Sequence, residues 1–190
     1  QTNFDLRLEK NQADRALLAV KDDYNLDFLM LSKKHTERNL EEGLTKNICN
    51  FLAEMGGDFA FVGRQFKIKF KNEENYIDLL FYHRQMRCLV AVELKIGKFE
   101  PEYAGQMQFY LAVLDSHHLY EGENSAIGLI ICSKKDRDKV EYTLRYVTKP
   151  IGVATYSQYS KLSDLPKKIA QYLPSEAQIK RRLAAIMEVS

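Results

Sequence analysis

The run Tyr76-Ile77-Asp78-Leu79-Leu80-Phe81-Tyr82, the break His83-Arg84-Gln85-Met86-Arg87 and the run Cys88-Leu89-Val90-Ala91-Val92-Glu93-Leu94-Lys95 decide the fold of this 190-residue chain. Both flanking runs are rich in Val, Leu, Ile and aromatic residues, the break between them is polar, and together they predict an antiparallel hairpin. Three charges interrupt the apolar strands: Asp78, Glu93 and Lys95. A charge in a core strand is costly unless it is paired or bound to an ion. Side chains alternate along a strand, so Glu93 and Lys95 share a face. Folding the chain back about Arg84 to Met86 sets Asp78 opposite Val92 or Glu93, with opposed Cβ atoms about 4.5–5.5 Å apart. One of these registers gathers all three charges on one face, and the pattern alone does not choose between them.

Two clustered carboxylates call for a cation. Magnesium suits them, because it binds one or two carboxylates, several waters and phosphate oxygens. Lys95 is a compact positive charge suited to holding a water or offsetting negative charge in a transition state. This is the outline of metal-assisted phosphodiester hydrolysis. A buried Asp–Glu–Lys trio without an ion would leave one negative charge uncompensated.

Upstream, Leu40, Leu44, Ile48, Phe51, Leu52 and Met55 recur at helical spacing and Gly56-Gly57 supplies a stop, predicting one helix. Phe59 to Phe70 reads as a strand, with Phe66, Ile68 and Phe70 alternating with Lys67 and Lys69. Arg64 and Gln65 lie on it, and Gln65 is a candidate to approach a substrate. Three consecutive strands therefore form a meander. Downstream, Gly97-Lys98 and Pro101 mark a loop into a helix carrying Tyr103, Met107, Tyr110, Leu111 and Leu114. Gln106 and Tyr110, four apart, share a face of it. The apolar run Ala126 to Cys132 suits a strand buried on both faces, followed by a helix over Asp138 to Arg145 and a strand over Ile151 to Tyr156. The order predicts an α/β fold with a mixed sheet.

Hydrophobic residues make up 45% of the chain, enough for a real core, and the net charge of +2 is too small for a purely electrostatic nucleic-acid binder. Cys49, Cys88 and Cys132 show no zinc spacing and read as reduced thiols of a cytoplasmic protein. His117-His118 has no third ligand in view and reads as a surface pair. No apolar run is long enough to span a bilayer. Residues 1–23 read as an arm or linker, residues 24–173 as the main domain, and residues 174–190 as a polar C-terminal helix with a Lys180-Arg181-Arg182 cluster.

An Asp followed fifteen positions later by Glu-x-Lys resembles the PD-(D/E)XK nuclease superfamily. The segments Phe61-Val62-Gly63-Arg64-Gln65, Tyr76 to His83, Glu93-Leu94-Lys95-Ile96-Gly97-Lys98-Phe99 and Pro101-Glu102-Tyr103-Ala104-Gly105-Gln106-Met107 resemble the C-terminal nuclease domain of YhcG-type proteins, over roughly Tyr24 to Pro174. The superfamily's leading Pro is absent, Ile77 standing before Asp78. The resemblance implies a restriction-endonuclease-like core and a metal-dependent nuclease acting on DNA. It places Mg²⁺, or Mn²⁺, on Asp78, Glu93 and the Leu94 carbonyl, with Lys95 on the attacking water. Glu41 matches the acid that the superfamily's first helix presents to the metal, with Glu42 the other candidate. Gln106 and Tyr110 match a Gln-x-x-x-Tyr helix that faces the scissile strand in RecB-like members. A homodimer and a helical N-terminal domain ahead of this one are further expectations. The alternative is a non-catalytic nucleic-acid-binding or assembly module that keeps the nuclease fold.

Overall fold

In a computed structural model, residues 1–29 and 36–157 are described. The helices are α1 (Phe4–Arg7), α2 (Lys10–Ala19), α3 (Glu37–Lys46), α4 (Ile48–Met55), α5 (Pro101–His117) and α6 (Arg137–Tyr146). The strands are β1 (Asp23–Asn25), β2 (Phe59–Phe70), β3 (Glu73–His83), β4 (Cys88–Lys98), β5 (Ile127–Lys134) and β6 (Ile151–Ser157). They form one sheet in the order β1-β6-β5-β4-β3-β2. Strands β2, β3 and β4 make the expected antiparallel meander, and β4, β5, β6 and β1 run parallel. The mixed sheet flanked by helices is the restriction-endonuclease-like architecture.

The apolar runs at the middle of the sheet explain its order. Strand β5 is buried from Ile127 to Cys132, and β4 is buried at Cys88 and from Val90 to Leu94, with both strands covered on each face. One cluster joins Leu79, Phe81, Val90 and Val92 to Leu40 and Leu44 of α3 and Phe51 of α4. The other joins Leu80, Ala91 and Ile130 to Met107, Tyr110, Leu111 and Leu114 of α5 and Val140 of α6. Each large side chain taken out of water here contributes about 1.5–3 kcal/mol. Gly128 lets α5 lie close, because a Cβ there would meet Met107 Cγ at 2.5 Å.

Two features differ from the sequence reading. The helix expected over residues 40–55 is two, broken at Asn47 (φ −110°, ψ 33°), whose side chain bonds back to the Gly43 carbonyl at 3.0 Å. Residues 1–23, read as an arm, carry two helices with Phe4 fully buried. Asn3 is buried and clamps the α6–β6 turn: it accepts from Ile151 N at 2.8 Å and donates to the Leu144 and Lys149 carbonyls, each at 3.1 Å. The helix expected over 174–190, with Lys180-Arg181-Arg182, lies outside the described residues.

Candidate active site

The β3–β4 ladder runs in register from His83–Cys88 to Leu79–Val92. Continued by one step, that register sets Asp78 against Glu93, the arrangement that gathers the charges. The Asp78 carboxylate takes the Leu94 N–H at 2.9 Å on Oδ2, capping the end of the ladder. The facing of β3 also changes here. Leu79 and Phe81 belong to the cluster under α3 and α4, whereas Ile77 and Leu80 belong to the cluster under α5. Regular alternation would put Ile77 with Leu79. The same happens on β2, where Gln65 lies between the pairs Arg64–Leu79 and Phe66–Ile77 and has φ 43°. Asp78 thus sits where the sheet reverses its faces, half-buried beside a groove of about 410 Å³ lined by Glu37, Arg38, Glu41, Glu42, Arg64, Gln65 and Asp78.

Glu93 is buried, and its Oε1 receives Lys95 Nζ at 3.1 Å. Its Oε2 is buried and has no hydrogen-bond partner among the described residues. Burial first, and the nearby Asp78 charge second, push the Glu93 carboxyl up to about 7. Asp78 is also raised, by burial, against the pull of the Leu94 N–H and the Lys95 charge. For Lys95 burial lowers and Glu93 raises, and the net direction is upward, so the amine stays charged. The Lys95 ammonium also lies 4.9 Å from the centroid of the Tyr103 ring.

From α5, Gln106 Nε2 donates to the Tyr110 hydroxyl at 2.6 Å. Tyr110 is buried, and its hydroxyl is raised by burial and then by the Glu93 charge. The Tyr110 hydroxyl of the Gln-x-x-x-Tyr pair therefore lies within range of the Glu93 charge. From α3, Glu41 receives Gln65 Nε2 at 2.8 Å, and the same amide reaches Asp78 Oδ1 at 3.1 Å. Glu41 is raised by burial and by Asp78. Glu42, the other candidate, is paired with Arg38 at 3.0 Å instead. Hydrogen bonds thus link Glu41 to Gln65 and Gln65 to Asp78, and Lys95 to Glu93, whereas Glu42 turns to Arg38 and Gln65 spends its amide on carboxylates. Tyr103 and Glu37 were not singled out beforehand. An aromatic one helical turn before Gln106 was the available sign for Tyr103.

The donor set fits a hard divalent cation. Glu93 Oε2 is an orphaned acceptor, and two carboxylates face one ammonium. Among the described residues no group of three or more His, Cys, Asp or Glu side chains holds a metal unaided. Main-chain, water or substrate oxygens would have to complete the shell, as magnesium sites commonly arrange.

A family model described as the YhcG PDDEXK nuclease domain matches residues 17–174. The chain belongs to this family. A YhcG relative, "Putative nuclease YhcG" of Escherichia coli (strain K12), is 38% identical over 138 residues, covering 73% of this chain and 37% of that protein. The chain thus spans 37% of the length of the curated relative it matches. Among solved structures it is similar to a repair endonuclease from Pyrococcus abyssi, with TM-score 0.43 and 13% identity over 68% of this chain and 49% of that one. It is likewise similar to EndoMS in a structure described as an EndoMS–dsDNA2 complex, with TM-score 0.44 and 13% identity over 68% of this chain and 46% of that one. No helix among the described residues is long and apolar enough to cross a membrane.

Proposed function

We propose that this domain is a divalent-metal-dependent nuclease that hydrolyses phosphodiester bonds in DNA. The observation that carries the reading is the orphaned Glu93 Oε2, buried beside Asp78 and Lys95 at the end of the β3–β4 ladder. An unsatisfied buried carboxylate oxygen costs free energy that a bound cation removes. Asp78, Glu93 and the Leu94 carbonyl would hold Mg²⁺ or Mn²⁺, with Glu41 bound through water. When bound, the metal supplies positive charge to the phosphoryl oxygens and makes water a better nucleophile.

The chain's own residues do the rest. Glu93 holds Lys95 so that its Nζ can orient the attacking water and offset charge building on the phosphate. Gln106 spends one N–H on the Tyr110 oxygen, which leaves the Tyr110 proton free to donate to a phosphate oxygen. Water oxygen bonds to phosphorus as the bond to the leaving sugar oxygen breaks; the attacking water releases a proton to solvent and the leaving oxygen takes one up from solvent.

The test uses the purified chain with plasmid DNA, single-stranded DNA and RNA, each with Mg²⁺, Mn²⁺ or EDTA. We expect metal-dependent cleavage of DNA that falls by about a thousandfold or more in Lys95→Ala and Glu93→Ala. Cleavage that survives both substitutions sinks this site. No cleavage, together with no Mn²⁺ binding by calorimetry, favours the non-catalytic binding module.

A further inference from the structure

We propose that Gln65 is a positioning residue for the metal site: its side-chain amide ties the α3 acid Glu41 to Asp78 and sets the spacing of the two carboxylates before any cation arrives. The proposal rests on the metal-site reading above.

The geometry is specific. One nitrogen, Gln65 Nε2, donates to Glu41 Oε2 at 2.8 Å and to Asp78 Oδ1 at 3.1 Å. A primary amide has two hydrogens, so each carboxylate receives one. Two like-charged groups from different elements are thereby held together by a neutral donor. Each keeps acceptor capacity: among the described residues the amide bond to Glu41 falls on Oε2 and not on Oε1, and each bonded oxygen retains a second lone pair. The bridge therefore gathers the acids without consuming the atoms a cation needs.

The backbone is arranged for this. Gln65 has φ 43°, in the left-handed region that a residue with a side chain seldom adopts. Such a conformation costs about 1–3 kcal/mol and persists where the surroundings impose it. Glycine stands two residues away, at Gly63, yet the strained position itself carries a long polar side chain. Strain falls at the same step at which β2 and β3 change their facing, across from Asp78. A regular strand would point residue 65 elsewhere. Among the described residues no backbone hydrogen bond joins α3 to the sheet, and this amide is a polar tie from it to the acid on β3.

A contact with substrate is the rival role for Gln65, and the two separate cleanly. The full chain is compared with Gln65→Gly, which removes both amide and strain, and Gln65→Asn, which tolerates positive φ but is one methylene too short to span both acids. Mn²⁺ affinity is read by calorimetry, thermal stability by calorimetric melting, and KM for DNA at saturating metal. We expect both variants to melt no lower than the parent chain in EDTA. Their Mn²⁺ dissociation constants should rise by about 10-fold or more, as for other residues that orient ligands, with KM for DNA unchanged. Mn²⁺ affinity equal to the parent's overturns the proposal, and a raised KM at saturating metal assigns Gln65 to substrate. A parent chain that binds no Mn²⁺ at all overturns the metal reading itself, and the proposal with it.

Discussion

From His83–Cys88 to Leu79–Val92 the strands β3 and β4 are hydrogen-bonded in register, and Leu79, Leu80, Phe81, Val90, Ala91 and Val92 are fully buried. One residue further on, the same two strands carry Asp78 and Glu93. There the ladder is capped by a side chain and a buried carboxylate oxygen goes unpartnered. The first half is what folding favours: backbone donors paired and hydrocarbon out of water. The second half gathers like charges in a half-buried site, which folding alone does not favour. The difference teaches where the chain spends its stability. A rigid, apolar half holds two acids at a spacing that they would not keep by themselves.

The largest expected effect tests the rigid half. Phe81 packs on Phe51, Phe59 and Phe61 with ring centroids 5.9, 6.4 and 5.4 Å away. Phe81→Ala should cost about 3–5 kcal/mol of unfolding free energy, read from urea midpoints. A loss under about 1 kcal/mol would mean that this half is not the foundation it is taken to be.

The charged half should behave in the opposite sense. The Glu93 carboxyl is raised in the folded protein to about 7, above its value in the unfolded chain. The folded state therefore holds a proton that the unfolded state has lost. Stability is fullest below the unfolded pKa and drains away as pH rises through about 7. The loss from this group is about 3 kcal/mol at most. His83, lowered by burial, works the other way between mildly acid and neutral pH. The difference between the parent chain and Glu93→Gln isolates Glu93. In EDTA the parent should lose stability relative to Glu93→Gln from pH 5 to pH 8, and Mg²⁺ should return part of that loss to the parent alone. A difference that stays flat with pH would remove the electrostatic contrast between the two halves.

A smaller effect probes the cover over the rigid half. Gly128, paired with Ala91, faces Met107 and Leu111 so closely that a Cβ would stand 2.5 Å from Met107 Cγ and 3.2 Å from Leu111 Cδ1. Gly128→Ala should destabilise by about 1–3 kcal/mol through overpacking. Because α5 also carries Gln106 and Tyr110, cleavage should fall with it. Cleavage unchanged at a lowered melting temperature would show that the two halves are mechanically independent.

Much of this was legible in the chain before any coordinates. Two apolar runs, Tyr76–Tyr82 and Cys88–Lys95, about a polar break give the hairpin, and charges set in such runs mark Asp78, Glu93 and Lys95. The helical spacing from Tyr103 to Leu114 gives α5. What was not legible is local and polar. Period-two alternation assumes regular twist, so it cannot report a positive φ at a glutamine or the reversal of faces across from it. Asn47 is no obligate helix breaker, yet its side chain bonds to Gly43 O and two helices result. Nothing in the sequence marks Asn3, because its partners, the Leu144 and Lys149 carbonyls, are far along the chain. Hydrogen bonds between distant residues leave no periodic trace.

The smallest effect sharpens the charged half from within. Lys95 is held on one side by Glu93 at 3.1 Å and on the other by the face of Tyr103, 4.9 Å from the ring centroid. Little of the Lys95 side chain is exposed, 12%, so the ring's field acts in a partly desolvated setting. A cation over an aromatic face there is worth about 0.5–1 kcal/mol. Removing the ring should let the ammonium wander from the place where it would hold water, while leaving the carboxylates alone. Tyr103→Leu should therefore lower single-turnover cleavage by about 2- to 5-fold without moving Mn²⁺ affinity. Tyr103→Phe keeps the π face and should restore the rate. Tyr103 also packs edge-on against Phe99 at 6.4 Å, so both variants need a melting curve beside them. If Tyr103→Leu cleaves at the parent rate with an unchanged melt, Glu93 alone fixes the amine, and the charged half depends on fewer contacts than its geometry suggests.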